Sequence, residues 1–579
     1  MIAPIRALLV AFLLSTINAD PCKKIDETFR KTSSENGPVS CKCLIDPLVP
    51  EFYQNVWIGC TGQSMSAVFS ELGSLNETLV NRIHIWDSQL DIIPAEMFEK
   101  VKPKKLIIEN SLVNIVRKGT FTVIGPRLQE LRLRNNAMKK NLDPEMLTGL
   151  DHLQILDLSG NKLTKIRSAD FEKVAELEEL LLNENGIGEI EEGSFENLSQ
   201  LRVLSIQNNQ ITAITKNTFK GLENLEELYL QNNQISSIDW TAFRNLKKLK
   251  ILDLGRNHIS SVDLQGFDKL EKLILNNNSI QTLKNVVLRS LPSLVYISFD
   301  RNTIAEIEDD SFRGLATSPR LDTVSMASNN ITVIGGNAFK HVTSIRSLAL
   351  QMNQLSSLSS NGLAALSPLR HLSVLILSGN RLDALHEGEL PKSLRVILLD
   401  NNQLAHIDSS TFRGLSIERL HLNSNRLTHL PKGTFDDIDL TVLKQIDITE
   451  NRWQCVCEEE WLGSWLDKLG ESDVGDGTIG CLALACPKVE EESNGSKWVT
   501  VVASVLAGVS VLILIAIAYL YIEDVRSRAM IKRPFGRVDS DLARLIEKEA
   551  KTDADRGLIR KQKAPEIAQN NKRNVRFVS

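Results

Sequence analysis

Leucines recur along the chain in the frame L-x-x-L-x-L-x-x-N, which the segment "LEELYLQNN" at residues 225–233 shows in full. The asparagine position of this frame is filled fourteen times between Asn136 and Asn451, and serine fills it twice before them, at Ser88 and Ser111. The commonest step along this series is 24 residues. Self-similarity at such a period indicates a solenoid of stacked structural units, so the pattern predicts sixteen repeats.

The alternation within one frame predicts which side chains lie in the core. Neighbouring side chains of a strand point to opposite faces, so Leu228 and Leu230 are expected inside and Tyr229 outside. A single repeat cannot bury its leucines alone, whereas stacked repeats share a continuous core. One strand per repeat predicts an α/β solenoid, a leucine-rich-repeat horseshoe with its parallel β-sheet on the concave side. In this fold the Asn233 side chain is expected to bind backbone groups of the turn that would otherwise be buried without partners.

A second column of apolar residues stands ten positions behind the asparagine or serine. Its regular spacing favours core packing over a ligand-binding aromatic cage. The opposite, convex side of each repeat is expected to carry short helical turns rather than strands. The phenylalanines of this column are Phe98, Phe121, Phe171, Phe195, Phe219, Phe243, Phe267, Phe312, Phe339, Phe412 and Phe435.

The N-terminal 19 residues are typical of a secretory signal peptide. Arg6 precedes an apolar run from residue 7 to 14, and the small residue Ala19 precedes Asp20 at the expected cleavage point. The alternative is an uncleaved signal anchor, but the apolar run is short for a bilayer span.

Residues 499–522 form an uncharged apolar segment, long enough for a bilayer about 30 Å thick at about 1.5 Å per residue. The alternative is a buried core helix, which the flanking aromatic and basic residues disfavour. Ser504 and Gly508 form a small-xxx-small pair that would permit dimerisation through this helix. Arg526, Arg528, Lys532, Arg533 and Arg537 follow the segment and place the C-terminal side in the cytoplasm.

The tail at residues 523–579 contains fifteen Lys/Arg and nine Asp/Glu, so its charge is +6 and the rest of the chain, out of −5 in total, carries −11. Most of the tail is polar and predicted to be disordered. Two roles stay open for it: recruitment of a cytoplasmic adaptor, and retention of the protein at the membrane.

Eight cysteines lie in two sets of four, one before the repeats and one after them. An even count behind a secretory signal indicates disulfides. Zinc is the alternative for the C-x-C pairs, but neither set contains a histidine. The sets are Cys22, Cys41, Cys43 and Cys60, and then Cys455, Cys457, Cys481 and Cys486.

The segment "NRWQCVCEEEWLGSWL" and the later "CLALACP" resemble the C-terminal cap of extracellular leucine-rich-repeat proteins. This resemblance implies the disulfides Cys455–Cys481 and Cys457–Cys486. The N-terminal set is similar to the partner cap and implies Cys22–Cys43 and Cys41–Cys60, although the gap after Cys22 is longer than usual. The repeat count and tail length resemble those of a nematode protein and its matrix-organising relatives in epithelia, which implies roles in development.

The segments predicted in this way follow one another along the chain. They are a signal peptide at 1–19, an N-terminal cysteine cap at 20–79, leucine-rich repeats at 80–450, a C-terminal cysteine cap at 451–487, a juxtamembrane stalk at 488–498, a transmembrane helix at 499–522 and a cytoplasmic tail at 523–579.

No catalytic motif occurs in the sequence, so we expect neither an enzyme nor a cofactor. His406 and His429 hold equivalent positions in neighbouring repeats, but solvated surface histidines are favoured over a metal or pH-sensing site. The modest net charge of −5 argues against a nucleic-acid partner. Glycans are expected at the N-x-S/T sequons of Asn76, Asn197, Asn277, Asn330 and Asn494.

The outward positions of the predicted strands are the candidate partner-binding residues. Tyrosine among polar residues is typical of an interface anchor, and Tyr229 and Tyr296 are the outward tyrosines. The alternative is that they are ordinary exposed residues of a sheet that favours such side chains. The predicted binding residues are Tyr229, Gln231, Asp253, Ile274, Tyr296 and Asp300.

Two other regions of the same face differ from the middle. The first repeats are expected to form a basic end, through Arg82, His84, Trp86, Lys105, Arg132 and Arg134. A later apolar strip is a second candidate for protein contact, formed by Val374, Ile376, Val396 and Leu398.

The sequence therefore predicts a single-pass type I protein of the plasma membrane, with its N-terminus outside the cell. Its repeats are expected to bind an extracellular protein or matrix ligand, in adhesion or in matrix organisation during development. The alternative is a receptor or co-receptor for a soluble ligand that signals through a partner protein.

Overall fold

The computed structural model describes residues 21–33, 41–45, 56–360, 363–454, 460–466 and 468–469. Within these ranges the principal element is an eighteen-stranded sheet whose strands pair in chain order. The first pair is antiparallel and the others are parallel. The strands are Cys41–Ile45, Val56–Thr61, Thr78–Trp86, Val101–Glu109, Glu130–Arg132, Ile155–Asp157, Glu179–Leu181, Val203–Ser205, Glu227–Tyr229, Ile251–Asp253, Lys272–Ile274, Tyr296–Ser298, Thr323–Ser325, Ser347–Ala349, Val374–Ile376, Val396–Leu398, Arg419–His421 and Gln445–Asp447.

The sixteen strands from Thr78–Trp86 to Gln445–Asp447 correspond one by one to the sixteen predicted repeats of the described chain, which confirms the solenoid. The inward residues of strand Glu227–Tyr229 and its flank, Leu228 and Leu230, are both 0% exposed. The equivalent residues of the other repeats pack with them into one hydrophobic cluster. Stacking of repeats therefore buries leucines that no single repeat could shield from water.

The asparagine column fills the turn behind each strand, as the sequence predicts. The Nδ2 of Asn233 donates to the carbonyl oxygens of Ile206 and Leu230, at 3.0 and 2.9 Å. Its Oδ1 accepts the N–H of Ile211 at 3.1 Å. One side chain thus satisfies three backbone groups in two neighbouring repeats, where water has no access.

The side of the repeats opposite the long sheet carries short strand pairs as well as helical turns, so the expectation of helical turns without strands was wrong. In seven of these pairs, extended residues after the turn of one repeat pair in parallel with those of the next repeat. The eighth pair, Ser359–Ser360 with Leu363–Ala364, is antiparallel and lies within one repeat. The short pairs are Ile92–Ile93 with Ile115–Val116, Lys139–Lys140 with Lys162–Leu163, Lys165–Ile166 with Glu189–Ile190, Ala213–Ile214 with Ser237–Ile238, Val262–Gln265 with Val286–Arg289, Glu306–Ile307 with Val333–Ile334, Ser359–Ser360 with Leu363–Ala364, and Ala384–Leu385 with His406–Ile407. Short 3-10 helices span Pro144–Leu147, Trp240–Phe243, Leu283–Asn285 and Arg313–Leu315.

The phenylalanine column lies in the core, as its spacing predicts. Rings of successive repeats contact each other, with centroids 5.3 Å apart for Phe219 and Phe243 and 6.2 Å apart for Phe171 and Phe195. No ring of this column is more than 3% exposed among the described residues, so the column is not a ligand cage.

The N-terminal end of the solenoid is covered by the helix Pro21–Thr32, the strand Cys41–Ile45 and the helix Met65–Gly73. The disulfide Cys22–Cys43 joins the first helix to the strand Cys41–Ile45, and Cys41–Cys60 joins that strand to the strand Val56–Thr61. This is the pairing that the resemblance to the N-terminal cap implies.

The described part of the C-terminal end contains the helix Glu460–Leu466. Its Trp465 ring contacts Phe435 of the last phenylalanine pair, with centroids 5.0 Å apart. The cysteines Cys455, Cys457, Cys481 and Cys486, the signal peptide, the segment 499–522 and the tail lie outside the described residues. Among the residues that are described, no helix has the length and apolar character that crossing a bilayer requires.

Candidate functional site

The face of the long sheet that points away from the leucine core is called the open sheet face here. Each repeat contributes three side chains to it, those equivalent to Glu227, Tyr229 and Gln231. Tyr229 is half-buried between the neighbouring repeats. Its hydroxyl donates to the Glu227 carboxylate at 2.7 Å. The tyrosine therefore lies along the face, with its polar end held by its own strand.

Register places three of the predicted binding residues side by side. Tyr229 pairs with Asp253 on the next strand, and Asp253 pairs with Ile274 on the strand after that. Tyr296 lies on the following strand but in the neighbouring row, where it pairs with Lys272. The structure thus brings Tyr229, Asp253 and Ile274 together directly and adds Tyr296 diagonally.

Gln231 and Asp300 lie at the border of this group and are held by other residues. The Gln231 amide donates to the Gln207 amide of the preceding repeat. Asp300 accepts the hydroxyl of Ser325 at 2.6 Å and the N–H of Ala327 at 2.7 Å. Both side chains therefore stabilise the border of the face by contacts within the chain.

The middle of the open sheet face is acidic. Burial raises the pKa of Asp253 to about 6, although the N–H of Gly255 and the charge of Arg256 oppose the rise. Burial also raises the pKa of Tyr296 to about 12, and the carboxylates of Asp300 and Asp253 add to this effect. Removal from water disfavours the charged form of both groups. This region therefore favours contact with a neutral side chain or a cation of another molecule.

The carboxyl of Glu179, three repeats before Asp253, also has a raised pKa. Burial raises the pKa of the Glu179 carboxyl; Arg132 opposes the rise, and the carboxylates of Glu130 and Glu227 reinforce it. Like charges therefore accumulate along this part of the face.

The first repeats do not form the basic end that the sequence suggested, because acidic residues pair with the cations. Asp157 is 0% exposed and accepts from Arg132 at 3.1 Å and from Arg134 at 2.6 Å. Lys105 pairs with Glu130 at 2.8 Å. Against the effect of burial, Arg132 and Lys105 hold the pKa of Glu130 below its usual value. The result is a neutralised network rather than a patch that attracts anions.

The later apolar strip is assembled as expected, but it is unevenly exposed. Val374 pairs with Val396, and Ile376 pairs with Leu398. Val374 and Ile376 are half-buried, whereas Val396 and Leu398 are only 8% and 9% exposed.

The histidines are arranged differently from the sequence expectation. His406 approaches His386 rather than His429, and both bind Asp408, at 2.9 and 3.3 Å. The His429 ring contacts the hydroxyl of Thr428. In the described ranges no group of three or more histidine, cysteine or acidic side chains is arranged so that it could hold a metal ion.

The sequons differ in their surroundings. Asn76, Asn197 and Asn330 are exposed, and Asn277 is half-buried in the turn beside Asn278. Asn494 lies outside the described residues. Glycosylation at these positions stays a prediction.

Sequence reasoning missed one group on the open sheet face, the side chains of Arg419, His421 and Asn423 in the repeat before the last. Each has a polar atom that is shielded from solvent and bonded to no other described group. The repeat frame of the sequence shows that these side chains point outward, but it does not show that these atoms lack hydrogen-bond partners.

A family model described as leucine rich repeat matches the chain at 126–187, 175–235, 223–273, 268–317, 319–382, 370–427 and 392–452. These matches cover more than half of the 579 residues.

Curated relatives match to different extents. P-granule-associated novel protein 1 of Caenorhabditis elegans is 46% identical over 572 residues, which are 96% of this chain and 96% of the relative. This match confirms the resemblance to a nematode protein. Podocan of Mus musculus is 34% identical over 23% of this chain and 22% of its own length. Lumican of Gallus gallus is 32% identical over 24% of this chain and 39% of its own length.

Among solved structures, the crystal structure of a TLR13–ssRNA13 complex is similar with a TM-score of 0.56 and 21% sequence identity. The likeness covers 72% of this chain and 56% of that chain. At this identity it shows the fold alone.

Proposed function

Because this chain belongs to the leucine-rich-repeat family and is a homologue of P-granule-associated novel protein 1, we propose that it is a cell-surface protein whose open sheet face binds a protein or matrix ligand. The role that follows is adhesion or organisation of extracellular matrix during development. The fold supports binding rather than catalysis, since a leucine-rich-repeat solenoid offers a long rigid surface and the sequence contains no catalytic motif.

The observation that carries this proposal is the group formed by Tyr229, Asp253, Ile274 and Tyr296, called the tyrosine patch below. Two tyrosines flank an aliphatic side chain and a half-buried carboxylate on consecutive strands. Aromatic side chains on a rigid surface lose little conformational freedom on binding and are enriched at the centres of interfaces. A side chain from a partner would find apolar contact and an acceptor in the same place.

The cellular location is a proposal that rests on the two ends of the sequence. A signal peptide at 1–19 and an apolar segment at 499–522 followed by basic residues support a type I orientation. The repeats then lie outside the cell, and the basic tail lies at the inner leaflet, where it is available to an adaptor. Dimerisation through the small residues Ser504 and Gly508 is compatible with this arrangement.

The alternative function is that of a receptor or co-receptor for a soluble ligand. Residues 523–579 carry no sequence sign of a signalling domain, so in a receptor role they would transmit the signal through a partner protein.

The test uses cells that express the full-length chain with an extracellular tag. Their adhesion to deposited matrix and to one another is measured for the wild type and for Tyr229→Asp/Tyr296→Asp. Carboxylates in place of both tyrosines remove the aromatic contacts and add charge to an acidic region, so adhesion is expected to fall to the level of untransfected cells.

The matched control is Ile115→Asp/Val333→Asp, which alters two apolar residues on the opposite side that are 49% and 46% exposed. This control is expected to keep adhesion, with equal surface levels of all variants. Full adhesion by the tyrosine variant would exclude the tyrosine patch. A wild type that adheres no better than untransfected cells would contradict the adhesion role and favour the co-receptor.

A further inference from the structure

The last repeats of the open sheet face combine an aliphatic block with a row of polar side chains. Val396 and Leu398 are in register with Arg419 and His421 of the next strand. Asn423 follows two residues later, at the position equivalent to Gln231. Apolar contact and hydrogen-bonding groups therefore meet at one strand boundary.

Three atoms in this row are shielded from solvent and have no hydrogen-bond partner in the described part of the chain. They are Nη1 of Arg419, Nε2 of His421 and Oδ1 of Asn423. Buried polar atoms are nearly always bonded in native proteins, and each exception requires an explanation. Three exceptions on consecutive outward positions of one repeat indicate a common cause.

Arg419 differs from the arginines at the other end of the same face. Arg132 and Arg134 both pair with the buried carboxylate of Asp157. No ion pair of Arg419 occurs among the described residues, although Arg395 of the preceding repeat pairs with Glu418 at 3.0 Å. A guanidinium in this position is therefore available for a carboxylate from another molecule.

Acidic side chains at equivalent positions of the two neighbouring repeats accept local hydrogen bonds. Asp447, in register with His421, accepts the N–H and the hydroxyl of Thr449 at 3.0 and 2.7 Å. Asp400 accepts the hydroxyl of Ser378 at 2.5 Å and the amide of Asn401 at 2.9 Å. Both carboxylates are fixed by local contacts, which leaves the Arg419 donor without a counterion in the described chain.

We propose that Arg419, His421 and Asn423 form a docking site for an acidic side chain of a protein partner, flanked in that partner by aliphatic residues. Arg419 and His421 donate to the carboxylate, and Asn423 accepts a backbone N–H of the same segment. The aliphatic neighbours of the acidic residue pack mainly on the half-buried Val374 and Ile376, since Val396 and Leu398 are nearly covered. Charged hydrogen bonds of arginine to a carboxylate are strong and directional, so the site selects for the acid as well as for the apolar flanks.

The site is separate from the tyrosine patch, so failure of this proposal would leave the adhesion role proposed above unaffected, and the reverse also holds. Its probe is an acetylated, amidated pentapeptide of leucine and valine around a central glutamate. The matched probe has glutamine at the centre. Binding of each immobilised peptide to the purified full-length chain is measured by interferometry.

The wild type is expected to bind the glutamate peptide at least about tenfold more tightly than the glutamine peptide, since a charged hydrogen bond is about twice as strong as a neutral one. Arg419→Met removes the guanidinium and is expected to weaken binding of the glutamate peptide by about 30-fold or more, as for loss of one partner of a buried charge pair. The control Arg395→Met is expected to bind as the wild type does. Equal affinity for the two peptides, absence of binding, or equal loss in both variants would overturn the proposal.

Thermal unfolding separates a binding role from a structural one. Arg419→Met removes an unsatisfied donor, so its melting temperature is expected to equal or exceed that of the wild type. Arg132→Met removes one of the two cations that pair with each of the buried carboxylates of Asp157 and Glu130, so its melting temperature is expected to fall. A fall for Arg419→Met as large as that for Arg132→Met would assign Arg419 a structural role and contradict the docking site.

Discussion

At the scale of single residues, the most unusual group on the open sheet face is the carboxyl of Asp253. It is half-buried between Tyr229 and Ile274, and its local hydrogen bond comes from the N–H of Gly255, at 2.9 Å. Burial raises its pKa to about 6, above the value of about 3.9 for an unfolded chain. Ionisation of this side chain in the folded protein therefore costs free energy.

The first prediction concerns the pH dependence of stability. A raised folded-state pKa contributes stability that is fully present below about pH 4 and is lost as the pH rises through about 6. Asp253→Asn keeps an acceptor for Gly255 but does not ionise. We expect the variant to gain about 2 kcal/mol relative to the wild type between pH 4 and pH 8.

Thermal unfolding of the full-length chain from pH 4 to pH 8 measures this difference. Asp263→Asn, at an exposed position of the same repeat, is the control. Its stability should change with pH as that of the wild type does. Identical pH profiles for Asp253→Asn and the wild type would disprove the effect.

A second residue-scale prediction concerns Asn233, which binds three backbone groups in the turn. Asn233→Ala leaves those groups buried and without partners. We expect a loss of about 2–4 kcal/mol, because each unsatisfied buried group costs about 1–3 kcal/mol and the turn can relax in part.

Gln234→Ala, at the exposed next position, is the matched control. The free energies of unfolding of both variants are compared in urea. A loss for Asn233→Ala no larger than that for Gln234→Ala would show that the asparagine column does not stabilise the turns.

At the scale of elements, the strand Cys41–Ile45 forms the N-terminal edge of the long sheet as far as the chain is described. Edge strands offer unpaired backbone groups to other chains. Here Glu71 accepts the N–H of Cys41 at 2.7 Å, and Asp26 accepts the N–H of Cys43 at 2.8 Å. Carboxylates from two helices therefore occupy the donors of the edge and hinder strand addition.

The third prediction follows from this arrangement. Glu71→Ala leaves the N–H of Cys41 without its acceptor, and the exposed Leu44 and Ile45 lie on the same strand. We expect a loss of about 1–3 kcal/mol of stability and concentration-dependent self-association. Light scattering measures the self-association. Hydrogen exchange at the Cys41 amide measures the loss of stability at this edge.

Glu71→Gln keeps an acceptor and is the control, with exchange protection and a monomeric state expected as in the wild type. If Glu71→Ala and Glu71→Gln behave alike, the carboxylate does not protect the edge.

At the scale of the whole molecule, membrane topology is the feature on which the proposed location depends. The predicted signal peptide, the segment 499–522 and the basic residues after it support a type I protein. Antibodies added to intact cells are expected to stain a tag placed after Asp20 and to miss a tag at the C-terminus until the membrane is permeabilised. Deletion of 499–522 should release the chain into the medium. Staining of the C-terminal tag on intact cells would reverse the orientation.

The positions of the core residues and the number of repeats could be predicted from the sequence, because the pattern that specifies them is local and recurs in every repeat. Each frame shows the alternation that puts Leu228 inside and Tyr229 outside, and the period repeats it often enough to count the repeats. The asparagine and phenylalanine columns follow from the same spacing. The short strands on the opposite side were missed, because strands of two to four extended residues are too short to leave a clear periodic signal in the sequence.

The sequence by itself determined the solenoid, the repeat count and the composition of the core, since burial of apolar side chains depends on a pattern that one repeat already contains. Only the tertiary structure decided the electrostatics of the open sheet face. Partners such as Arg132 and Asp157 are 25 residues apart in the chain and meet because adjacent repeats stack in register. The same stacking withdraws Asp253 from water and leaves Arg419 without a counterion in the described chain. These properties depend on neighbours across strands, which the linear order of residues does not contain.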